Sequence, residues 1–393
     1  MKEFYNKSKI IYGQNALERL YSELYYYRCT RLFVITDEYS VFTGIINRVR
    51  KLLSSNNLEV TYVTVQNSQK ADTECVKLAY EQCRASNSDF ILCIGSDVVA
   101  SIGKAVKLLI DEGQNDLEKI SKVSDNDVVK LLFLPTEIEN MNFATGKIDV
   151  YDIFNNKIFR FDCDKLTPSF IIVDNRIIKK ISSEKFFSKI SVILGLSIIT
   201  LLQDNIPISA KVLANTALDI IGEQLNNNSQ VIPYDKLLVA QAYSSIAYGY
   251  VNEKLLTSIL FNINVYTDID YNQIFSSIYP KYLKVFFNKP KYELADYLAT
   301  LYSKDHYAEL DTKAKYNYIC DSIMYSIYFC LSKCNNKGLG SLGMNHNQID
   351  NIINSIIVEN GLKDNYEKTM LIRKVIGESY SLNYYIEKDK HIR

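Results

Sequence analysis

The sequence has only three histidines, and none of them lies in the first 305 of its 393 residues. Imidazole is the commonest metal ligand in proteins and the usual general base for a serine nucleophile. Most of the chain therefore has no histidine to offer for either chemistry. Tryptophan is absent while tyrosine occurs 30 times, a bias that we attribute to genomic base composition rather than to a recognition surface.

An excess of charge of one sign is also missing, because 45 basic residues balance 45 acidic ones. This balance does not indicate a nucleic acid or a membrane surface as partner. Eight cysteines in a chain of this length are too few for a disulfide framework, and residues 1–20 lack the apolar core of a signal peptide. The longest apolar run, residues 190–202, is too short to cross a bilayer. We expect a cytoplasmic protein with reduced thiols.

Two of the cysteines, Cys330 and Cys334, are spaced so that a helix would place both thiols on one face. Such a pair can form half of a zinc site, and Cys320 is the only nearby thiol that could join them. Buried structural thiols are the favoured interpretation.

The residue pattern divides the chain into two domains near residue 180. Up to that point β-branched runs alternate with helical stretches, which predicts a Rossmann-like α/β domain with a parallel sheet over residues 1–180. From residue 181 onward nearly every stretch has the helical period, which predicts an all-α domain over residues 181–393, capped at its start by Ser182 or Ser183. The predicted strands are residues 31–36, 58–65, 89–94, 129–134 and 169–173, with a hairpin at 146–153 and 157–163. The predicted helices of the first domain are residues 41–53, 71–85 and 99–109.

Four short motifs occur in a characteristic order within this arrangement. The first motif is Ile11-Tyr12-Gly13, and the second is a predicted strand ending in aspartate, LFVITD at residues 32–37. The third is Pro135-Thr136, which begins a loop, and the fourth is PSFIIVD at residues 168–174, which closes the first domain. In order and spacing they resemble the iron-containing alcohol dehydrogenase family, whose relatives include glycerol dehydrogenases and dehydroquinate synthases. The resemblance covers about residues 8–380 and implies an ancestral NAD(P)-dependent oxidoreductase.

The first cofactor loop of that family is a Gly-Gly-Gly-Ser turn that opens a helix carrying Asp, Ala and Lys. Its glycines let the backbone approach the cofactor pyrophosphate, and the helix N-terminus supplies partial positive charge. Gly95 and Lys104 match this pattern here, but Ser96 and Asp97 replace glycines and Ser101 replaces the aspartate. The resemblance implies that the Asp97 carboxylate repels a pyrophosphate at this point.

The second cofactor loop is altered in the same direction. The family pattern is Pro-Thr-Thr-Ala-Gly-Thr-Gly-Ser-Glu, whereas residues 135–143 read PTEIENMNF. Thr136 matches, both glycines are missing, and the replacements add charge and bulk: Glu137, Glu139, Ile138, Met141 and Phe143.

Asp37 can still accept hydrogen bonds from the ribose hydroxyls of NAD and disfavour the 2′-phosphate of NADP. An aspartate at the end of a strand is also a common helix cap. With the phosphate loops altered, the helix cap is the favoured interpretation.

The metal ligands of the family are one Asp and two or three His, and the metal polarises the substrate oxygen so that hydride can leave. Matching helices place those positions at Gly195, Ile199, Thr257 and Tyr271, none of which carries a family ligand. The resemblance therefore implies that no metal binds. Oxygen ligands from Glu253, Asp268 and Asp270 are the alternative, although such carboxylates more often lie in solvated turns.

The three histidines offer little for another chemistry. His306 lies in a polar loop and His391 in the terminal tail, while His346 follows the glycine-rich segment GLGSLG at residues 338–343. That segment could present amides to an anion. A flexible connection, with Asn345 or Asn347 capping the next helix, is the favoured interpretation.

Two functions from different classes follow. The first is a catalytically silent relative that binds no cofactor and acts through a homodimer, an active paralogue or a small molecule in the interdomain cleft. The second is an NAD(P)-dependent alcohol or aldehyde oxidoreductase with an altered metal site. We favour the first, because hydride transfer needs the cofactor held and the alkoxide stabilised together.

Overall fold

The computed structural model describes residues 7–54, 58–66, 70–137, 143–155, 157–226, 234–267, 269–286 and 309–382. These residues form two compact units. The α/β unit holds the described residues up to Lys180 together with the helix Tyr234–Gly249, and the helical unit holds the others from Ile181 onward. The chain thus changes unit at the residue where its sequence pattern changes, and a single later helix belongs to the first unit.

A six-stranded, wholly parallel sheet forms the centre of the α/β unit. Its strand order is β1-β8-β5-β4-β2-β3, and a separate antiparallel hairpin pairs β6 with β7. This architecture confirms the predicted fold class. The strands are β1 (Lys9–Tyr12), β2 (Arg31–Asp37), β3 (Glu59–Val65), β4 (Phe90–Gly95), β5 (Lys130–Pro135), β6 (Lys147–Asp152), β7 (Lys157–Asp162) and β8 (Phe170–Val173).

Helices cover the sheet of this unit, and their bounds are α1 (Leu20–Tyr26), α2 (Glu38–Phe42), α3 (Ile45–Leu53), α4 (Thr73–Ser86), α5 (Asp97–Asp111) and α8 (Tyr234–Gly249). The single helix predicted over residues 41–53 is wrong, because the structure divides that stretch into α2 and α3. Gly44 separates the two helices with a φ of 77°, a left-handed conformation that glycine adopts without strain.

Helix α5 is buried along most of its length, including the side chains of Lys104 and Lys107. A buried ammonium group is costly unless it is paired and hydrogen-bonded. The Nζ of Lys107 donates to Asp111 at 2.8 Å, to Asp127 and to the backbone oxygen of Val129. The lysine therefore connects the end of α5 to the residue that precedes β5.

The helical unit consists of α6 (Ser183–Leu202), α7 (Ile208–Asn226), α9 (Lys254–Tyr266), α10 (Tyr271–Phe286), α11 (Thr312–Lys333), α12 (His346–Glu359) and α13 (Tyr366–Tyr380). Ser182 caps α6, accepting a hydrogen bond from the backbone N of Lys185 at 3.3 Å. Within the described residues, α6 is the one helix long and apolar enough to cross a membrane, and 83% of its most apolar window is buried inside the protein. That burial is typical of a core helix in a water-soluble domain.

We predict that Lys107→Met unfolds the α/β unit more easily than wild type, by about 3–5 kcal/mol, because it leaves Asp111 charged, buried and short of its partner. Lys157→Met is the matched control, since Lys157 forms a 2.7 Å ion pair with Glu118 in which both side chains are largely exposed. The control should lose at most about 1 kcal/mol. Urea unfolding followed by circular dichroism measures both, and equal losses would contradict the prediction.

Candidate functional site

The carboxyl ends of β2, β4 and β5 lie side by side, because β4 pairs with both of the other strands. The chain leaves β2 towards β3 on one side and leaves β4 towards β5 on the other. Open parallel sheets bind ligands at such a reversal of strand order, outside the carboxyl ends of the strands. The predicted cofactor residues Asp37, Gly95, Ser96, Asp97 and Thr136 all follow or end these three strands.

Asp37 and Gly95 contact each other at this edge. A Cβ added to Gly95 would lie 2.5 Å from the Oδ2 of Asp37 and 2.8 Å from the Cγ2 of Val99, and Gly95 has a φ of +150°. The Oδ1 of Asp37 accepts a hydrogen bond from the backbone N of Ser40 at 2.8 Å. Asp37 is thus the N-cap of α2, as favoured from the sequence, while a role in holding ribose remains a prediction.

The first turn of α5 brings a carboxylate to the predicted phosphate loop. Ser96 is the N-cap residue, without a side-chain capping hydrogen bond, and Asp97 follows it with 8% of its surface exposed. Lys104 lies two helical turns further on and donates to the backbone oxygen of Lys147 at 3.2 Å. Burial lowers the pKa of Lys104 to about 8, and the negative charge of Asp97 is the strongest influence that raises it. Asp97, which replaces a family glycine, and Lys104, which matches the family, therefore interact electrostatically inside the unit.

Three hydroxyl groups at the same edge are buried without a hydrogen-bond partner: those of Thr36, Ser40 and Thr136. Thr36 pairs in register with Ile94, the residue before Gly95, and the backbone N of Thr136 donates to the oxygen of Gly95 at 3.1 Å. A buried polar group without a partner costs about 1–3 kcal/mol. The sequence pointed to Thr136 alone, because only the fold places residues 36 and 40 beside the end of β4.

Glu137 and Lys179 form a contact across this edge that the sequence did not predict. The Nζ of Lys179 lies 2.7 Å from the Oε1 of Glu137 and 4.7 Å from the centre of the Tyr39 ring. The backbone N of Lys179 also donates to the oxygen of Thr136 at 2.7 Å. Lys179 thus contacts both Glu137 and Tyr39 beside the end of β5.

The rest of the second cofactor loop is only partly described. Glu139, Ile138 and Met141 lie outside the described residues. Phe143 is buried, with its ring centre 5.8 Å from that of Phe133 on β5. Its bulk therefore contributes to the core of the α/β unit.

In the helical unit, Gly195 lies where α6 packs against α10. A Cβ on Gly195 would lie 2.5 Å from the Cε1 of Phe275 and 3.0 Å from the Cδ2 of Tyr279. The two rings are stacked on each other with their centres 5.0 Å apart. Ile199, one turn further along α6, is fully buried. Aromatic rings therefore fill the space beside Gly195, and Ile199 presents a buried aliphatic side chain.

The other two predicted ligand positions, Thr257 and Tyr271, lie on α9 and at the start of α10. The hydroxyl of Thr257 on α9 donates to the backbone oxygen of Glu253 at 3.2 Å, and Tyr271 begins α10.

The carboxylates offered as alternative metal ligands are engaged elsewhere. The Oε1 of Glu253 accepts from Gln203 at 2.8 Å, and its Oε2 accepts from the hydroxyl of Tyr282 at 2.5 Å. Asp270 accepts from the backbone and side chain of Asn272, while Asp268 lies outside the described residues. Across the described ranges no group of three or more His, Cys, Asp or Glu side chains could hold a metal ion.

Cys330 and Cys334 are both buried in α11 or at its end. The Sγ of Cys334 donates to the backbone oxygen of Leu331 at 3.4 Å, and burial raises the pKa of Cys334 to about 11. Burial also raises the pKa of Cys330. Thiols with raised pKa values are poor metal ligands, which favours the structural interpretation.

The glycine-rich segment uses its amides within the protein. The backbone N of Leu339 donates to the oxygen of Ser379, and that of Gly340 to the oxygen of Tyr380, both at 2.9 Å. These bonds pair the segment with the last carbonyls of α13, so it is not simply a flexible connection. Asn345 is the N-cap of α12, as predicted, and the ring of His346 stacks on that of Tyr380. His306 and His391 lie outside the described residues.

Comparison with known proteins identifies the family that the motifs resemble. Residues 7–175 match the model of the family described as iron-containing alcohol dehydrogenase. A search of curated protein sequences finds no match. The resemblance stated from the sequence is therefore confirmed, and it rests on the α/β part of the chain.

Solved structures show the same fold over nearly the whole chain. A 1,3-propanediol oxidoreductase is 13% identical with a TM-score of 0.82, covering 97% of this chain and 100% of its own. An iron-containing alcohol dehydrogenase from Thermococcus thioreducens is 14% identical with a TM-score of 0.78, covering 96% and 99%. An NADH-dependent butanol dehydrogenase A from Thermotoga maritima is 15% identical with a TM-score of 0.77, covering 97% and 99%.

We predict that Gly195→Ala destabilises the helical unit by about 1–3 kcal/mol, because its methyl group would overlap the ring of Phe275. Gly377→Ala is the matched control, since Gly377 lies inside α13 with nothing within 4 Å of an added Cβ. The control should be neutral or more stable by up to about 1 kcal/mol, the usual gain from replacing a helical glycine. Thermal unfolding compares the two, and a tolerated alanine at residue 195 would contradict the packing described above.

We also predict that Lys104 makes stability depend on pH. Between its lowered pKa of about 8 and the ordinary value of 10.5, the unfolded chain holds a proton that the folded chain has released, so stability rises with pH in this window. Lys104→Met should remove that rise. The other titrating groups are the same in both proteins, so their contributions largely cancel in the difference between the two unfolding free energies. The difference in unfolding free energy between wild type and variant should change by on the order of 1 kcal/mol from pH 7 to pH 9. A constant difference would show that Lys104 titrates normally.

Proposed function

We propose that this protein is a catalytically silent relative of the iron-containing alcohol dehydrogenases that acts as a binding or partner subunit. Hydride transfer in a metal-dependent dehydrogenase needs a metal to stabilise the alkoxide and a cofactor held beside it. Neither requirement is met by the side chains at the corresponding positions of this chain.

The packing at Gly195 is the observation that carries the proposal. The family has an aspartate at the matching position, yet here even a methyl group would come within 2.5 Å of Phe275. Ile199, at the next ligand position, is an aliphatic side chain buried in the same helix. Neither side chain offers a divalent ion an oxygen or a nitrogen ligand.

The negative charges at the carboxyl edge of the parallel sheet support the same conclusion. Asp97 stands in the first helical turn, where the family's glycines admit a pyrophosphate, and Asp37 lies against Gly95 beside it. Two carboxylates at a partly dry helix N-terminus disfavour a dianionic ligand.

The partner that we propose is a second copy of this chain or an active paralogue, since members of the resembling family commonly pair through their first domains. A small-molecule ligand is the alternative partner, and a cytoplasmic location remains part of the proposal. The competing function is an NAD(P)-dependent oxidoreductase acting on an alcohol or aldehyde, which the family match over residues 7–175 favours. Fold likeness alone does not decide between them.

Metal content and cofactor titration test the proposal. We expect elemental analysis of the purified protein, before and after anaerobic incubation with Fe²⁺ or Zn²⁺, to give metal well below one ion per chain. Calorimetric titration with NAD and NADH should give no saturable heat. The Thermotoga maritima butanol dehydrogenase, treated in parallel, is the positive control for NADH. Stoichiometric metal together with saturable NADH binding would overturn the proposal.

A further inference from the structure

We propose that the outer edge of β3 binds an extended acidic segment of a partner protein, which adds to the sheet as a further strand. This inference goes beyond the proposed function and does not rest on it, because neither β3 nor α3 carries a predicted cofactor or metal position. It names the kind of segment that the α/β unit recognises.

β3 is an end strand of the sheet. All 7 of its residues pair with β2, and among the described residues none pairs with its outer edge. The backbone N of Glu59 donates to the oxygen of Thr30, the residue before β2, at 3.1 Å. Because successive residues of a strand direct their N–H and C=O groups to opposite sides, those of Val60, Tyr62 and Thr64 point to the outer edge. These groups can form a ladder with an added strand.

The sequence of β3 lacks the features that usually prevent pairing at such an edge. Proteins protect exposed sheet edges with short strands, prolines, lysines or bulges. β3 reads EVTYVTV, without proline or lysine, and every residue except Glu59 is β-branched or aromatic. The end strand on the other side of the sheet, β1, has only 4 residues and begins with Lys9. The outer edge of β3 is therefore suited to strand addition, in which backbone hydrogen bonds supply the affinity.

The helix that packs over β3 determines which segment fits. α3 contains Arg48, Arg50 and Lys51 and no acidic residue. The guanidinium of Arg50 lies 4.5 Å from the centre of the Tyr62 ring, so α3 brings positive charge over the middle of β3. Arg50 and Lys51 are both exposed. An added strand with glutamate or aspartate on this face would therefore meet opposite charge.

A second copy of this chain fits the outer edge less well. If two copies paired their β3 strands in antiparallel orientation, a second basic α3 would lie on the same face of the extended sheet. Like charges placed side by side disfavour that pairing. The charge of α3 thus favours an acidic segment of another protein.

The test is calorimetric titration of the full chain with synthetic peptides of about nine residues, long enough to pair with all of β3. One peptide alternates glutamate with threonine, and a second alternates lysine with threonine. A third is the glutamate peptide methylated on every backbone amide, which keeps its charge but cannot donate hydrogen bonds. We expect saturable binding of the glutamate peptide, at least about tenfold tighter than that of either other peptide.

Thr64→Pro tests the backbone of β3. It removes an N–H that points to the outer edge and leaves the ladder with β2 intact, since an edge strand tolerates proline where the nitrogen faces solvent. Binding of the glutamate peptide should weaken about tenfold or more. Thr64→Val, which keeps the N–H, is the matched control and should bind like wild type. If Thr64→Pro fails to fold, the methylated peptide tests the same hydrogen bonds from the side of the ligand.

Arg50→Glu tests the charge of α3. This variant should bind the lysine peptide more tightly than the glutamate peptide, which reverses the preference of wild type. Lys122→Glu makes the same change in charge at an exposed residue between α5 and β5, and it should leave the preference unchanged.

Absence of saturable heat with the glutamate peptide would overturn the inference. Equal affinity for the methylated peptide would also overturn it, because charge alone would then explain the binding. A wild-type dimer that Thr64→Pro converts to a monomer in sedimentation, without any peptide, would assign the outer edge to a second copy instead. None of these outcomes bears on catalytic silence, which metal content and NADH binding test separately.

Discussion

The α/β unit depends on satisfying two ammonium groups that α5 carries into its interior. A lysine without access to water must be paired or neutral, and Lys104 and Lys107 meet this requirement in different ways. Lys107 is held by two carboxylates and a carbonyl, which fixes the chain between α5 and β5. Lys104 donates to the backbone of β6, with its pKa lowered by burial. The hairpin and the central sheet are thus joined through one helix.

In the helical unit, aromatic side chains pack against Gly195, one of the predicted ligand positions. Phe275 and Tyr279 stack on each other and press against Gly195, and Ser191 on α6 is bonded to the hydroxyl of Tyr279 at 3.3 Å. A glycine at residue 195 is required by this close approach of α6 and α10. The absence of a side chain at residue 195 therefore permits the packing of α6 against α10.

The fold was largely predictable from the sequence because most strands of the central sheet are short apolar runs bounded by polar residues. The break between α2 and α3 rests on a single residue, Gly44. The sequence does not predict this break, because the apolar spacing of the helix continues through Gly44. The site was harder to predict. Thr136 lies in a recognisable motif. The buried hydroxyls of Thr36 and Ser40 can be assigned to the same edge only when the pairing of β2 with β4 is known. The pairing of Glu137 with Lys179 joins residues far apart in the sequence, and no local pattern encodes it.

A residue that matches a family motif can be required for a reason other than cofactor binding. Gly95 matches the cofactor glycine, yet its φ of +150° and the Asp37 carboxylate against it already exclude any side chain, whether or not a phosphate binds. Lys104 likewise matches the family, although here its ammonium group is bonded to the backbone of β6. Both residues are explained by the internal packing of the α/β unit. Their presence therefore does not argue for a bound cofactor.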